Sequence, residues 1–164
     1  MAYNFLAVSV PNIRKRLHEV FGTASGHDHD GTNSKKAITW HTKIIKVEDL
    51  AAGVDIADRI EMVVPTGQTW LITDSKIISN GTASGIDDSN KSTVVLKNGT
   101  NAVFSKEFNT ATTFPAAGAS TSPTLDGDYT SVAAGSSVKL SVTNGSTADT
   151  PAFSVQVTMK ITVA

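Results

Sequence analysis

Two of the four histidines of this 164-residue chain stand one residue apart, within Gly26-His27-Asp28-His29-Asp30-Gly31-Thr32-Asn33-Ser34-Lys35-Lys36. Residues two apart in an extended segment project to the same side, so His27 and His29 can present both imidazoles to one axis. Two imidazoles leave a divalent transition metal under-coordinated, whereas three symmetry-related copies supply six nitrogens in an octahedral shell. In a homotrimer the pair is therefore a candidate site for iron or zinc on a threefold axis. The other reading is a turn in which the histidines cap the backbone while Asp28 and Asp30 fix loop amides. Either way the two glycines and the Asn, Ser and Thr beside them make this a tight loop and not a helix or strand.

The rest of the chain is poor in reactive groups. With 0 cysteines it has no thiolate nucleophile, disulfide or thiolate metal site. It contains no Gly-X-Ser-X-Gly elbow, no phosphate-cradling glycine loop followed by Lys-Ser/Thr, and no His-Glu-X-X-His. Asp87-Asp88 and Asp126-Gly127-Asp128 pair carboxylates, but in turn-like sequence, where solvated turn acids are expected rather than catalysis or calcium binding. His18 and His41 read as structural or solvated. Trp40, Trp70, Phe104, Phe108 and Phe114 would suit a sugar-binding platform, yet at 6% aromatic content they are expected to be used by the core. These features point to a protein that is not an enzyme.

Composition narrows the partners. Fourteen Lys+Arg against 15 Asp+Glu leave a formal net charge of -1, which gives no global field for nucleic acid or an anionic membrane. No apolar run approaches the roughly 18 residues of a membrane span. In Met1 to Phe21 the charges follow the apolar residues, the reverse of a signal peptide, so a soluble protein not exported by the usual signal is expected.

Two kinds of element must position these residues. Ile13, Leu17, Val20 and Phe21 recur at helical spacing, Ser9 can cap, Pro11 sits in the first turn and Gly22 is a ready stop. A short helical arm is expected there, too short to be stable alone, so its apolar stripe needs a partner. Phe5, Ile13, Arg14, Arg16, Leu17 and Phe21 are the candidate partner-binding residues of that arm.

From residue 37 onward the pattern is that of strands. Ala37 to Val47 reads as extended, and Val54, Ile56, Ile60, Met62 and Val64 fall on even positions of a half-buried strand. Trp70 to Ile78 gives another strand, Asn98-Gly99 marks a hairpin between Val94-Val95-Leu96 and Ala102 to Phe108, and Tyr129 to Val132 restarts the strands. Val138, Leu140 and Val142 alternate. Phe153, Val155, Val157, Met159, Ile161 and Val163 form the most regular strand of all, expected at the centre of a sheet. Residues 109–128, rich in Thr, Ala, Gly, Pro and Ser, are too long for an ordinary loop and are expected to be functional or to pack on a neighbour. About eight strands with turns at short intervals predict a mainly β fold, an antiparallel β-sandwich of jelly-roll type. The predicted organisation is an N-terminal arm with a short helix and the His-rich loop over residues 1–36, then a sandwich over residues 37–164.

The segment from Gly26 to Lys36 resembles the His-X-His-Asp-Gly-X-Asn-Ser-Lys stretch that recurs in structural proteins of tailed bacteriophages, often just before a β-rich domain. It is similar also to the His-X-His motifs of trimeric tail-fibre tips, whose histidines coordinate iron; that resemblance implies His27 and His29 as ligands. It also implies a virion protein made in the host cytoplasm. A compact chain with one sandwich and an anchor-like arm favours a trimeric capsid decoration or head-fibre protein, binding itself and the major capsid protein or other virion proteins. A tail-fibre, baseplate or neck component is the first alternative, and a carbohydrate-binding sandwich using Trp40 and Trp70 the second.

Overall fold

The structure is a computed structural model in which residues 38–163 are described. It centres on the last strand, β9 (Phe153–Val163), as the alternation of its side chains predicts. Phe153, Val155, Val157, Met159 and Ile161 are all buried on one side, whereas Val163 runs out to 40% exposure at the end of the strand. β9 is flanked on both edges. It pairs antiparallel with β1 (Ile38–Val47) in unbroken register from Ile38↔Thr162 to Val47↔Phe153. On its other side it pairs with β3 (Gln68–Ser79), from Gln68↔Val163 to Ser79↔Phe153 with one bulge between Ile72 and Asp74.

Two short strands, β6 (Ser120–Thr121) and β7 (Ser131–Val132), share the far edge of β3 and complete a five-stranded sheet. The second sheet has the order β2-β8-β4-β5, from β2 (Ile56–Val63), β4 (Ser92–Asn98), β5 (Asn101–Phe108) and β8 (Ser137–Asn144). Apart from the β4–β5 hairpin, whose register closes at Asn98↔Asn101, and the β6–β7 step, every connection carries the chain from one sheet to the other. Orders β1-β9-β3-β6 and β2-β8-β4-β5 are the winding of a jelly roll, with β7 added to its eight strands.

The core lies between the inner faces of the sheets. Leu96, Val94, Leu140 and Val142 of one sheet meet Ile45, Ile77, Val155 and Val157 of the other, each no more than 1% exposed. Phe104, Phe108 and Phe153 fill the larger spaces. The long segment 109–128 belongs to this core: Phe114 is buried, with its ring centroid 4.7 Å from that of Phe108 and 5.5 Å from that of Phe153. The same segment supplies β6 and hydrogen-bonds to Ser79 at both its amide and its carbonyl.

One end of the sandwich is sewn together by its loops. Ser84 and Asp149 exchange backbone bonds of 3.0 and 2.9 Å, Leu50 and Thr150 exchange bonds of 2.9 and 3.1 Å, and the Gly145 amide donates to the Lys91 carbonyl at 2.8 Å. Buried Asn144 joins in, accepting from the Ser92 hydroxyl at 2.8 Å and donating to Thr150. Its own amide donates to the Asp55 carboxylate at 2.8 Å.

Three expectations are corrected. The even-position pattern across residues 54–64 breaks: Val54, 45% exposed, lies ahead of β2, and Ile60 is 60% exposed because β2 is an edge strand with register shifts between Ile56 and Arg59 and between Ile60 and Met62. Each shift moves the following side chains to the other face. Ile60 thus pairs with Lys139 and looks outward with it, and Val63 does the same beside Ser137. Tyr129 belongs to a 3₁₀ turn, Gly127–Tyr129, capped by the Asp126 carboxylate, and not to a strand. Trp40 is not a core residue; it is 64% exposed, on an edge strand.

Candidate functional site

Strand β1 reads ITWHTKIIKV, and its first seven residues are exposed before Ile45 and Val47 turn into the core. Directly paired residues in an antiparallel ladder share a face. Ile38, Trp40, Thr42, Ile44 and Lys46 therefore look outward with Thr162, Lys160, Thr158, Gln156 and Ser154 of β9. The neighbouring outward positions of β3 include Thr69, Leu71, Asp74, Lys76 and Ile78. One row across this face is Trp40, Lys160, Leu71, and the next along is Thr42, Thr158, Asp74. Ile38 (51%), Trp40 (64%), Ile44 (57%) and Leu71 (40%) leave much of their apolar surface in water on a face otherwise covered largely by threonines and lysine stems. The Thr42 and Thr158 hydroxyls stand 3.5 Å apart, and the Thr73 hydroxyl donates to the Thr158 carbonyl at 3.2 Å.

The edge of β1 is as unusual as its face. Open strand edges present unpaired N–H and C=O groups, and folded proteins blunt them with bulges, charges or brevity. The other edges of this sandwich carry such devices. β2 is bulged twice and holds Asp58 at φ 43; β6 and β7 have two residues each; β5 is bulged and carries Lys106 and Glu107 just before its last residue, the latter 2.9 Å from Lys91. β1 has ten residues, no bulge, no proline and no glycine, its charges are confined to Lys43 and Lys46 in its second half, and among the described residues no strand pairs with its outer edge. Among the described residues, its last part alone is occupied, where the Arg59 guanidinium donates to the Lys46 carbonyl at 2.8 Å.

The titratable clusters elsewhere are engaged in structure. Asp58 accepts from the Lys97 ammonium and from the Ser141 hydroxyl (2.6 Å), while its amide donates back to Ser141 Oγ at 3.2 Å. The Lys97 hydrogen bond, then that of Ser141, holds the Asp58 carboxyl below the usual range. This arrangement latches the bulge of β2 to β8 and β4. Asp87 is likewise lowered, by the amides of Asn90 and Ser89, both 2.7 Å from its Oδ1. Asp126 accepts from the Asp128 amide at 3.1 Å, and Asp88 from the Thr110 amide at 3.3 Å. Both acidic pairs are turn acids, as their sequence context predicts. A shallow cleft between residues 82–86 and 109–116 is lined by Ala83, Ile86, Phe114 and Pro115 with serine, threonine and asparagine between them, and it contains no acid or base.

Of the residues singled out from the sequence, His27, His29, Phe5, Ile13, Arg14, Arg16, Leu17 and Phe21 lie outside the described residues. Among the described residues no group of three or more His, Asp or Glu is placed to hold a metal ion, and no helix is long and apolar enough to cross a membrane. Trp40 and Trp70 are not brought together as a sugar platform. They sit on opposite faces of their sheet: Trp40 pairs with outward Lys160, whereas Trp70 pairs with Ile161 and packs half-buried against the core, donating Nε1–H to Gln68 at 2.8 Å. The open edge at Ile38 to Ile44 was not singled out. Its signal is the presence of apolar residues on the even positions of a strand whose odd positions end in buried Ile45 and Val47.

No family model matches the chain, and no curated protein does. Among solved structures it is similar to a chain of Bacillus endospore appendages, described as a novel family of disulfide-linked pili, with 17% identity and a TM-score of 0.43 over 81% of this chain and 95% of that one. It is similar also to chains of infectious bursal disease virus, Gx strain (14% identity, TM-score 0.34, 79% of this chain) and Gt strain (11%, 0.33, 85%). The alignments span about a third of those virus chains, 32% and 36%. None of these likenesses carries an assignment of function.

Proposed function

We propose that this chain is a non-enzymatic structural protein of a tailed-phage virion, a capsid decoration or head-fibre protein that works by association. The observation that carries the reading is the open edge and exposed face of β1, where Ile38, Trp40 and Ile44 stand in water beside unpaired backbone while the other sheet edges are blunted. The resemblance of Gly26 to Lys36 to phage structural proteins supplies the virion, and the anchoring partner is the major capsid protein. A jelly roll in which Asp87 and Asp126 hold turns and Glu107 holds an ion pair suits a rigid building block. Association with an assembled shell stabilises the shell by mass action, by about 2.7 kcal/mol per site when free protein is at 100 times its dissociation constant.

Cosedimentation with purified empty heads tests this. Saturable binding is expected; binding to isolated tails instead would favour the tail-fibre, baseplate or neck reading, and binding to neither would overturn both. The homotrimer with iron or zinc on its axis is a separate part of the proposal. Elemental analysis of purified protein is expected to find about one ion per three chains, lost in the His27→Ala, His29→Ala double variant.

A further inference from the structure

The edge of β1 has a defined polarity. In an antiparallel ladder the N–H and C=O of one residue point to the same side, and successive residues alternate sides. The Lys46 carbonyl accepts from Arg59, which belongs to the other sheet and not to β9, so the even residues of β1 direct their backbone groups away from β9. Among the described residues nothing pairs with the outward backbone donors and acceptors of Ile38, Trp40, Thr42 and Ile44, and Arg59 closes the edge at Lys46. The open stretch is therefore the run from Ile38 to Ile44, the same run that is exposed on both faces.

We propose that a second copy of this chain occupies that edge, β1 against β1 in antiparallel register centred on His41, joining two five-stranded sheets into one continuous sheet. This rests on the reading of the chain as a self-associating module. Several features select a second copy as occupant. The open stretch is centred on His41, so two copies match each other end for end and both stop at Arg59. Even residues meet even residues, so the four pairs Ile38–Ile44 and Trp40–Thr42, each made twice, exchange about eight backbone bonds. The two exposed apolar faces become one, with Ile38 of each copy opposite Ile44 of the other. On the other face Lys43 meets Thr39 and His41 meets its own copy, so no lysine stands directly opposite another lysine. The contact is twofold and uses residues apart from His27 and His29, so a chain that also forms a threefold axis would link trimers in pairs.

The chain has no cysteine, which makes single-cysteine crosslinking clean. His41 faces its own copy in a non-hydrogen-bonded pair, where Cα atoms lie about 4.5 Å apart, within disulfide reach. Full-length His41→Cys is expected to form covalent dimers under mild oxidation at pH 8 at least tenfold faster than Ser105→Cys, on the opposite edge of the fold. Thr42→Pro removes a donor that faces away from β9, and proline is tolerated at such edge positions. It is expected to halve the mass measured by light scattering while leaving the circular dichroism spectrum unchanged. If His41→Cys crosslinks no faster than Ser105→Cys, the inference is overturned, whether the edge is covered by residues 1–36, by another virion protein or by nothing. Saturable head binding by that variant would then show that the virion reading survives; loss of head binding in the unmodified protein would remove the reading itself.

Discussion

Replacing Phe114 by alanine tests whether residues 109–128 form part of the core or a surface loop. The ring is 8% exposed and stacks at a tilt of 56° on Phe108 and nearly edge-on to Phe153, at centroid distances of 4.7 and 5.5 Å. Its removal loses the transfer energy of the ring, the two aromatic contacts and the filling of the space between the sheets, together about 3–5 kcal/mol for a buried phenylalanine. Local backbone gives little relief, because the preceding turn is pinned by Asn109, whose side chain accepts from the amides of Ala111 (3.0 Å) and Thr112 (2.8 Å). Against a total stability of about 5–15 kcal/mol the loss is a large fraction. With a urea slope of about 1.5–2 kcal/mol/M the midpoint should fall by roughly 2 M at constant slope. The neighbouring exposed residue gives the control: Thr113→Ala should move stability by less than about 0.5 kcal/mol. A Phe114→Ala loss below about 1 kcal/mol would refute the argument and return the segment to the surface.

Gly85→Ala is expected to cost about 3 kcal/mol or more, since the added Cβ would clash with the Thr147 carbonyl oxygen at φ +64; Gly67→Ala, with nothing within 4 Å at φ +78, should cost about 1–2 kcal/mol, and thermal unfolding of the pair separates clash from backbone strain. Because the Asp58 carboxyl is held below its unfolded value of about 3.9, its contribution is fully present above that pH and lost as pH falls through the folded value. Asp58→Asn keeps a residue that tolerates positive φ, and its stability should fall less steeply than that of the unmodified protein between pH 5 and the acid transition, read by urea midpoints at each pH. Ile60→Thr should change stability by less than about 0.5 kcal/mol despite removing an isoleucine from a strand, because the side chain already looks outward beside Lys139.

The sandwich was legible where strands are regular and covered on one face. The alternation of β8 and β9 survives intact because the extra residues at the register shifts fall on their partners, two on β2 and one on β3, and not on β8 or β9 themselves. β2 was misread for the opposite reason: two bulges within eight residues reset its faces, and nothing in the spacing of Val54, Ile60 and Val63 announces them. Trp40 was assigned to the core from the usual burial of large aromatics, which is a statement about averages and not about an edge. The openness of β1 is a property of topology, since it depends on which strands arrive beside it from more than a hundred residues away. Phe114 was expected in the core from its type, yet its partners Phe108 and Phe153 are joined only by the folded sheets.

The register of β1 against β9 places Ile38 directly across from Thr162, so the chain enters and leaves the sandwich side by side. A tension applied between residues 38 and 163 would act across the ladder and unzip it one hydrogen-bonded pair at a time. The same tension applied between residue 38 and the stitched loops at the far end would load all ten register pairs in shear. A cargo tethered behind Val163 would therefore pull along the weakest mechanical axis of the domain, and a cargo inserted at the opposite end along one of the strongest.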